Sequence, residues 1–370
     1  MKYIFLLSKE DLKLAKEEVL ALLNIKKSKL ENNLLILESD DIQLADRLAY
    51  TRKAYQFLFE TTKKDLIREI KAFNWQSIYK KDFCVRIHTL YKEGVAGGGG
   101  LGGISEKNIA GHIWRTLKTP KVNLTNPKTQ IEVLITNGKT DKPIFPSSAK
   151  SSRRSDFVNK DKIYAVKLLK ELKNTFTSRK AHKRPELHPS ALNPKLARAL
   201  INLSGAQKEI MDPFCGAGGI LIEAGLMGLK PIGYDLYKIM IKKAKINLNH
   251  YKIKNYKLIN QDALKIKQKY EYVITDLPYG LNTSIWVKKG SKNKKISLKQ
   301  TNNKQRIKNL EDFYLKFLKT LKKILKNKAV IIFPHYVDYR KLIKRAKLKI
   351  EKEFSQYIHA SLTRKIVILY

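Results

Sequence analysis

Cysteine is nearly missing: Cys84 and Cys215 are the only two in 370 residues. Neither a disulfide framework nor a cysteine-based zinc site can be assembled from this chain alone, and a reducing cytoplasm is the compartment that suits it. Long apolar runs are missing too. Ala329–Pro334 and Ile366–Tyr370 are among the longest, far short of the roughly 20 residues that span a bilayer, so neither a transmembrane helix nor a membrane partner is expected. Met1–Leu7 imitates a signal peptide, but Ser8-Lys9-Glu10-Asp11 ends the stretch early and offers no small-residue cleavage site; it reads as a first strand. No repeat recurs at solenoid or propeller spacing. Gly97–Gly100 with Gly102-Gly103 is followed by no Gly-Lys-Ser or Gly-Lys-Thr, so it completes no P-loop and reads as a flexible loop.

Acidic residues are the other shortage. Asp plus Glu number 33 against 75 Lys plus Arg, a net charge of +42, which makes a polyanion the expected partner. A compositional drift toward Lys, Ile and Asn adds to the magnitude, yet a surface this basic attracts phosphate backbones whatever its origin. Charge alone does not choose among nucleic acids. With 43% hydrophobic residues, the chain can fill the cores of two or three domains.

The periodicities divide the chain into segments. Residues 1–75 alternate strand and helix: Tyr3–Leu7, the helix Asp11–Leu23, the strand Asn33–Glu38 and the helix Ile42–Ala49. They predict a small α+β unit of ferredoxin-like type, helices on an antiparallel sheet. Residues 76–147 hold the strand Phe83–His88, the helix Glu106–Leu117, and the strand Ile131–Ile135 closed by the turn Asn137-Gly138. Residues 148–187 form a basic connector with Lys150-Ser151-Ser152-Arg153-Arg154 and Arg179–Pro185 flanking a helix near Tyr164–Leu172; it reads equally as a solvated linker or as a phosphate contact. From 188 to 370 strands and helices alternate, then two strands, Ile350–Ile358 and Arg364–Tyr370, follow each other without room for a crossover helix. That predicts an α/β, Rossmann-like doubly wound sheet, mostly parallel, with an antiparallel C-terminal hairpin.

Within it, Asp212-Pro213-Phe214-Cys215-Gly216-Ala217-Gly218-Gly219 lies between a strand and a helix, where such sheets bind ligands. Gly216-x-Gly218 alone is weak evidence between a dinucleotide and S-adenosylmethionine. Leu221 stands where a dinucleotide fingerprint wants Gly or Ala, and Asp212 would repel a pyrophosphate while suiting a ligand with an ammonium and a sulfonium. Asp235 ends the next strand, where an acid meets ribose hydroxyls, and Asp262 with the Ala263 backbone is placed to read the adenine edge. An isolated Asp of this kind is usually a turn or helix cap; three on successive strands point to the cofactor.

Asp276-Leu277-Pro278-Tyr279-Gly280 follows the fourth strand of this unit. It resembles the [Asp/Asn/Ser]-Pro-Pro-[Tyr/Phe] motif of methyltransferases acting on exocyclic amino nitrogens. The lone pair of a base amino group is delocalised into the ring, so acceptors must hold its hydrogens and turn the nitrogen toward the methyl group. The Asp276 carboxylate and the Leu277 carbonyl can accept them, Pro278 stiffens the turn, and Tyr279 can stack on the base, a contact worth about 1–3 kcal/mol. Leu277 replaces the first Pro of the pattern, which a role for its carbonyl tolerates. No metal is needed.

Two larger resemblances follow. Lys121-Val122-Asn123-Leu124-Thr125-Asn126-Pro127 between a basic helix and a strand looks like the THUMP domain, an RNA-binding module of tRNA-modifying enzymes, covering residues 76–147. His188–Leu200, Asp212–Gly228 and Asp276–Gly280 resemble the archaeal tRNA guanine-N2 methyltransferases that modify guanosine 10. The resemblance implies N2-methylguanosine or its dimethylated form as product, tRNA as partner, and His188 and Ser190 beside the methionine end of S-adenosyl-L-methionine. Arg115, Lys121, Arg153, Arg154, Lys183 and Arg184 are the candidate RNA contacts. Residues 283–306, rich in Lys and Asn with Trp286 inside, read either as a loop ordered by RNA or as a lysine-rich insertion. Three other readings stay open: another tRNA guanosine such as position 6, adenine-N6 methylation of DNA, and a tRNA-binding protein without activity. Oligomeric state is not legible; a monomer is the working expectation.

Overall fold

The structure, a computed structural model, describes residues 1–90, 103–136, 162–172, 175–187, 191–279, 284–289, 292–297, 303–360 and 362–370. It divides into two compact units, one of residues 1–12, 25–46 and 51–173, the other of residues 13–24, 47–50 and 174–370. No helix among the described residues is long and apolar enough to cross a membrane.

The amino-terminal elements are β1 (Lys2–Leu7), α1 (Leu12–Leu22), β2 (Ser28–Glu31), β3 (Leu34–Glu38), β4 (Thr51–Thr61), α2 (Leu66–Ala72), β5 (Phe83–Thr89), α3 (Glu106–Trp114), β6 (Thr129–Thr136) and β7 (Lys162–Glu171). The first unit is built on one seven-stranded sheet, ordered β2-β3-β1-β4-β7-β6-β5. Its pairs are antiparallel except for β5 with β6. The segments 1–75 and 76–147 and part of the connector therefore share a single sheet. Helices α2 and α3 bury Leu66, Ile70, Ile109 and Ile113 against Phe83, Val85, Ile131 and Val133.

Two sequence expectations fail here. Tyr164–Leu172, expected as a helix, lies in β7, the strand between β4 and β6. Ile163, Tyr164, Ala165 and Val166 are all buried, as a central strand covered on both faces requires, and a short apolar run of that kind does not reveal its period. The helix expected over Ile42–Ala49 is reduced to one 3-10 turn, Gln43–Arg47. The N–H groups of Ala49 and Tyr50 instead donate to the buried Glu18 carboxylate, each at 2.8 Å.

The second unit continues with α4 (Pro194–Ser204), β8 (Glu209–Asp212), α5 (Gly219–Leu226), β9 (Lys230–Asp235), α6 (Lys238–His250), β10 (Lys257–Asn260), β11 (Tyr270–Asp276), β12 (Ser284–Lys289), β13 (Lys292–Ser297), α7 (Asn303–Ile324), β14 (Leu325–Pro334), α8 (Tyr339–Arg345), β15 (Ile350–His359) and β16 (Leu362–Leu369). Its main sheet runs β10-β9-β8-β11-β14-β16-β15, parallel through β14 and then antiparallel. The expected doubly wound sheet and terminal hairpin are both present. Strand order reverses between β8 and β11, the switch point at which such sheets take ligands. Within residues 283–306 the chain forms the hairpin β12–β13 and enters α7, so the stretch is not one continuous loop.

Residues 176–184 are tied to this unit by Glu223, fully buried in α5, which pairs with Arg179 at 2.7 Å and with Arg198 at 3.0 Å. An unpaired charge there would be costly; two guanidiniums satisfy it.

Candidate active site

Strand β8 delivers Asp212 at its carboxyl end, with Ile210 and Met211 buried below it. Asp212 is 2% exposed, and its Oδ1 accepts from Phe214 N at 3.0 Å and from Thr275 Oγ1 at 2.7 Å. Burial pushes its carboxyl up to about 7, with the charges of Asp235 and Asp276 adding to the rise. A carboxylate so starved of solvation favours a cationic neighbour.

The loop after β8 is held from several directions. Phe214 packs edge-to-face on Phe317 of α7, ring centroids 4.9 Å apart. Cys215 donates its N–H to Tyr234 O at 2.9 Å; its thiol is buried and raised by that burial and by the nearby carboxylates, which makes it a packing group. Gly216 and Gly218 have φ of +50° and +85°, a region where other residues are strained. Gly218 opens α5 and lies so near α6 that an added Cβ would stand 3.4 Å from the Ala244 Cβ. Ala217 offers its carbonyl to the buried Asn247 Nδ2 at 2.9 Å.

Asp235, at the end of β9, accepts Gly216 N on Oδ2 at 3.0 Å and Tyr237 N on Oδ1 at 2.9 Å. A carboxylate has about four lone-pair sites, and Asp235 stands at the strand end where such sheets meet ribose hydroxyls. Asp262 caps the turn Ala263–Lys265 through Leu264 N at 2.9 Å, the ordinary use of such an Asp. Pro213 and Gly219 complete the loop between β8 and α5. The donor set around it is carboxylate and backbone amide, and the glycines let a ligand approach the chain closely. S-adenosylmethionine, with its ammonium, sulfonium and ribose diol, fits that set; a pyrophosphate would meet like charges.

Across the switch point, β11 ends in Asp276. Burial raises its carboxyl to about 6, against the Arg364 guanidinium and the Tyr279 hydrogen bond. The Tyr279 hydroxyl donates to Asp276 Oδ1 at 2.5 Å. Leu277 is 2% exposed, packs in the main core of this unit, and gives its N–H to Ile332 O at 3.3 Å. Proline could not make that bond, so the departure from the family pattern has a use here. Two hydroxyls fasten the next carbonyls: Tyr314 of α7 donates to Pro278 O at 2.8 Å, and Tyr336 to Tyr279 O at 2.9 Å.

Sequence reasoning did not find Thr275, Tyr314, Tyr336 or Arg364; no local motif marks them. Arg184 needs correcting as an RNA contact. It is 6% exposed, its Nε donates to Arg179 O at 3.0 Å, and burial draws its pKa down against Tyr251 and Glu223. Arg115, Lys121 and Lys183 are exposed. His188, Ser190, Arg153 and Arg154, with the 97–102 glycines, lie outside the described residues. Among the described residues no three His, Cys, Asp or Glu side chains group as a metal site.

Comparison with known proteins supplies independent findings. Residues 181–293 match the UPF0020 family, described as an RMKL-like methyltransferase domain. A tRNA (guanine(10)-N2)-dimethyltransferase of Methanothermobacter thermautotrophicus is 30% identical over 88% of this chain and 84% of its own length. A protein of the same name from Pyrococcus abyssi is 28% identical over 96% and 95%. The crystal structure of TrmN from Thermus thermophilus aligns over 100% of this chain and 99% of that one, at 15% identity and a TM-score of 0.46.

Proposed function

The chain belongs to the family of tRNA (guanine(10)-N2)-dimethyltransferases, and from that premise we propose that it methylates the exocyclic N2 amino group of guanosine 10 in tRNA, adding one or two methyl groups. The observation that carries this reading is the placement of the motif at the switch point: Asp276 ends β11, and the neighbouring Thr275 is bonded to Asp212 at the start of the glycine loop of β8, so that the Asp276 carboxylate and the Leu277 carbonyl serve as the acceptor pair. S-adenosylmethionine, when bound there, would supply an activated methyl group. Asp276 and the Leu277 carbonyl hold the amino hydrogens and aim the nitrogen lone pair. Tyr279 stacks on the base, and the Tyr314 and Tyr336 hydroxyls keep the turn rigid, so the gain comes from alignment and exclusion of water. Asp212 and Asp235 would hold the cationic and ribose portions of the cofactor.

The target amino group is engaged in folded tRNA, so the base is exposed or flipped at a cost of a few kcal/mol. Exposed basic residues of 76–147, Arg115 and Lys121 among them, offset that cost through phosphate contacts, the role a THUMP-like module would have. Both cysteines are free and buried, which suits a reducing cytoplasm.

The test is to incubate the chain and labelled S-adenosylmethionine with unmodified tRNA transcripts, then digest and map the label. N2-methylguanosine or N2,N2-dimethylguanosine at position 10, lost in a transcript carrying adenosine there, is the expected result. Label on adenine, or none, would sink the reading, and label at another guanosine would move the site.

A further inference from the structure

We propose that Arg364 is a positioning residue for methyl transfer, holding the Asp276 carboxylate in its charged, accepting form and the Tyr279 ring in its stacking place; this rests on the reading that Asp276 accepts a hydrogen of the target amino group. Arg364 lies far from the motif in sequence and near it in space. Strand β16 runs antiparallel to β14, with Arg364 opposite Pro334, while β14 pairs in parallel with β11, with Ile332 opposite Asp276. The start of β16 is thereby brought to the edge where β11 ends. From there Arg364 Nε donates to the Tyr279 hydroxyl at 3.2 Å, and its Nη2 stands 3.9 Å from Asp276 Oδ2, with the two side chains 13% and 16% exposed.

The groups facing Asp276 come from four directions. Asp212 of β8 is a like charge, and Tyr279 in its own turn donates a hydrogen bond. Tyr314 of α7 feels the Asp276 charge but spends its hydroxyl on the Pro278 carbonyl, and Arg364 of β16 is the cation. Tyr336, after β14, reaches the Tyr279 carbonyl instead. Desolvation favours the protonated carboxyl, which accepts an amino hydrogen poorly; Arg364 and the Tyr279 hydrogen bond oppose it.

Its second contact concerns the hydroxyl. Tyr279 donates to the Asp276 oxygen that an amino hydrogen would claim. When the base enters and takes that oxygen, the hydroxyl loses its acceptor, but the Arg364 Nε–H still reaches the phenolic oxygen and keeps the ring in place. Lysine has one point-like ammonium and no Nε fork, so it can replace the charge and not the two-point geometry.

The experiment uses the full chain with unmodified tRNA transcript, comparing wild type with Arg364→Met, Arg364→Gln and Arg364→Lys. The rate of a single methyl-transfer turnover is followed from about pH 5 to about pH 9, with cofactor affinity by calorimetry and melting temperature alongside. In the Met and Gln variants the acid limb moves up by about one unit. The rate therefore falls about tenfold further on the acid side and recovers at the alkaline end only to the pH-independent deficit of the Lys variant, with cofactor affinity unchanged. Arg364→Lys returns the limb to its wild-type position and keeps a deficit that is the same at every pH. Arg364→Gln, which is polar and keeps a neutral hydrogen-bond donor, stands in if the Met variant does not fold. A loss uniform across pH in Met and Gln, or a wild-type profile in either, overturns the proposal. If wild type itself makes no N2-methylated guanosine, the acceptor reading of Asp276 falls first and this inference with it; if wild type is active and the limb stays still, this inference falls alone.

Discussion

Thr275 donates its hydroxyl to Asp212 Oδ1 at 2.7 Å, across the point where strand order reverses. This bond joins the strand that ends in the reacting motif to the strand that opens the glycine loop. Thr275→Val keeps the shape and removes the donor to a buried carboxyl, so stability should fall by about 1–3 kcal/mol. Cofactor affinity should weaken with it, since the loop is hung on the same carboxyl. Urea unfolding and calorimetric titration read both; an unchanged variant would mean the loop is held elsewhere.

Cofactor binding should depend on pH through Asp212, whose carboxyl is raised to about 7 in the folded chain. The sign follows from that direction. A raised acid holds its proton in the fold, so its contribution to stability declines as pH climbs from the ordinary Asp range, about 4, through the folded value, and is level above it. A cationic ligand favours the charged carboxylate, so affinity for S-adenosylmethionine should rise with pH through neutrality and be accompanied by proton release. Titrations in buffers of different ionisation enthalpy measure that release. Asp212→Asn should weaken binding and flatten the pH dependence.

Asp276→Asn preserves size but replaces an acceptor oxygen with an NH2 donor. Misaiming the target nitrogen should slow methyl transfer by about a hundredfold or more, while cofactor affinity is retained, because in the proposed arrangement the side chain meets the base and not the loop. Single-turnover rates with labelled cofactor and equilibrium binding separate the two effects. A variant that still turns over would take Asp276 out of the mechanism.

Exposed and buried arginines should behave differently. Arg115→Ala with Lys121→Ala should lower tRNA affinity and reduce the slope of log affinity against log salt by about one per charge removed. Arg184→Ala should instead lower the melting temperature and leave that slope alone, since the side chain is buried beside Gly219 and Arg179. Filter binding at several salt concentrations and thermal unfolding distinguish them.

The alternation of strand and helix beyond Asn193, the glycine loop, and Asp235 and Asp276 at the ends of their strands were legible because each depends on neighbouring residues. Periodicity, glycine placement and the carboxyl ends of strands are local properties. Tyr164–Leu172 was not legible: its strand begins with Ile163–Val166, buried on both faces, and such a short run looks the same as strand or helix until its neighbours in the sheet are known. Arg184 was misread for a related reason, since charge in a linker says nothing of whether Glu223 and Tyr251 lie around it.

By itself the sequence determined the loop Asp212–Gly219, the motif Asp276–Tyr279 and their common sheet edge, since strand polarity alone puts every such end on one side. Only the tertiary structure decided what surrounds the motif. Tyr314, Tyr336 and Arg364 lie 36, 57 and 85 residues from the groups they fasten. They come together because β14 and β16 stack beside β11 in an order the chain does not follow. Hydrogen bonds across a sheet and over a helix depend on that order and on register, and neither is written in the residues next to the site.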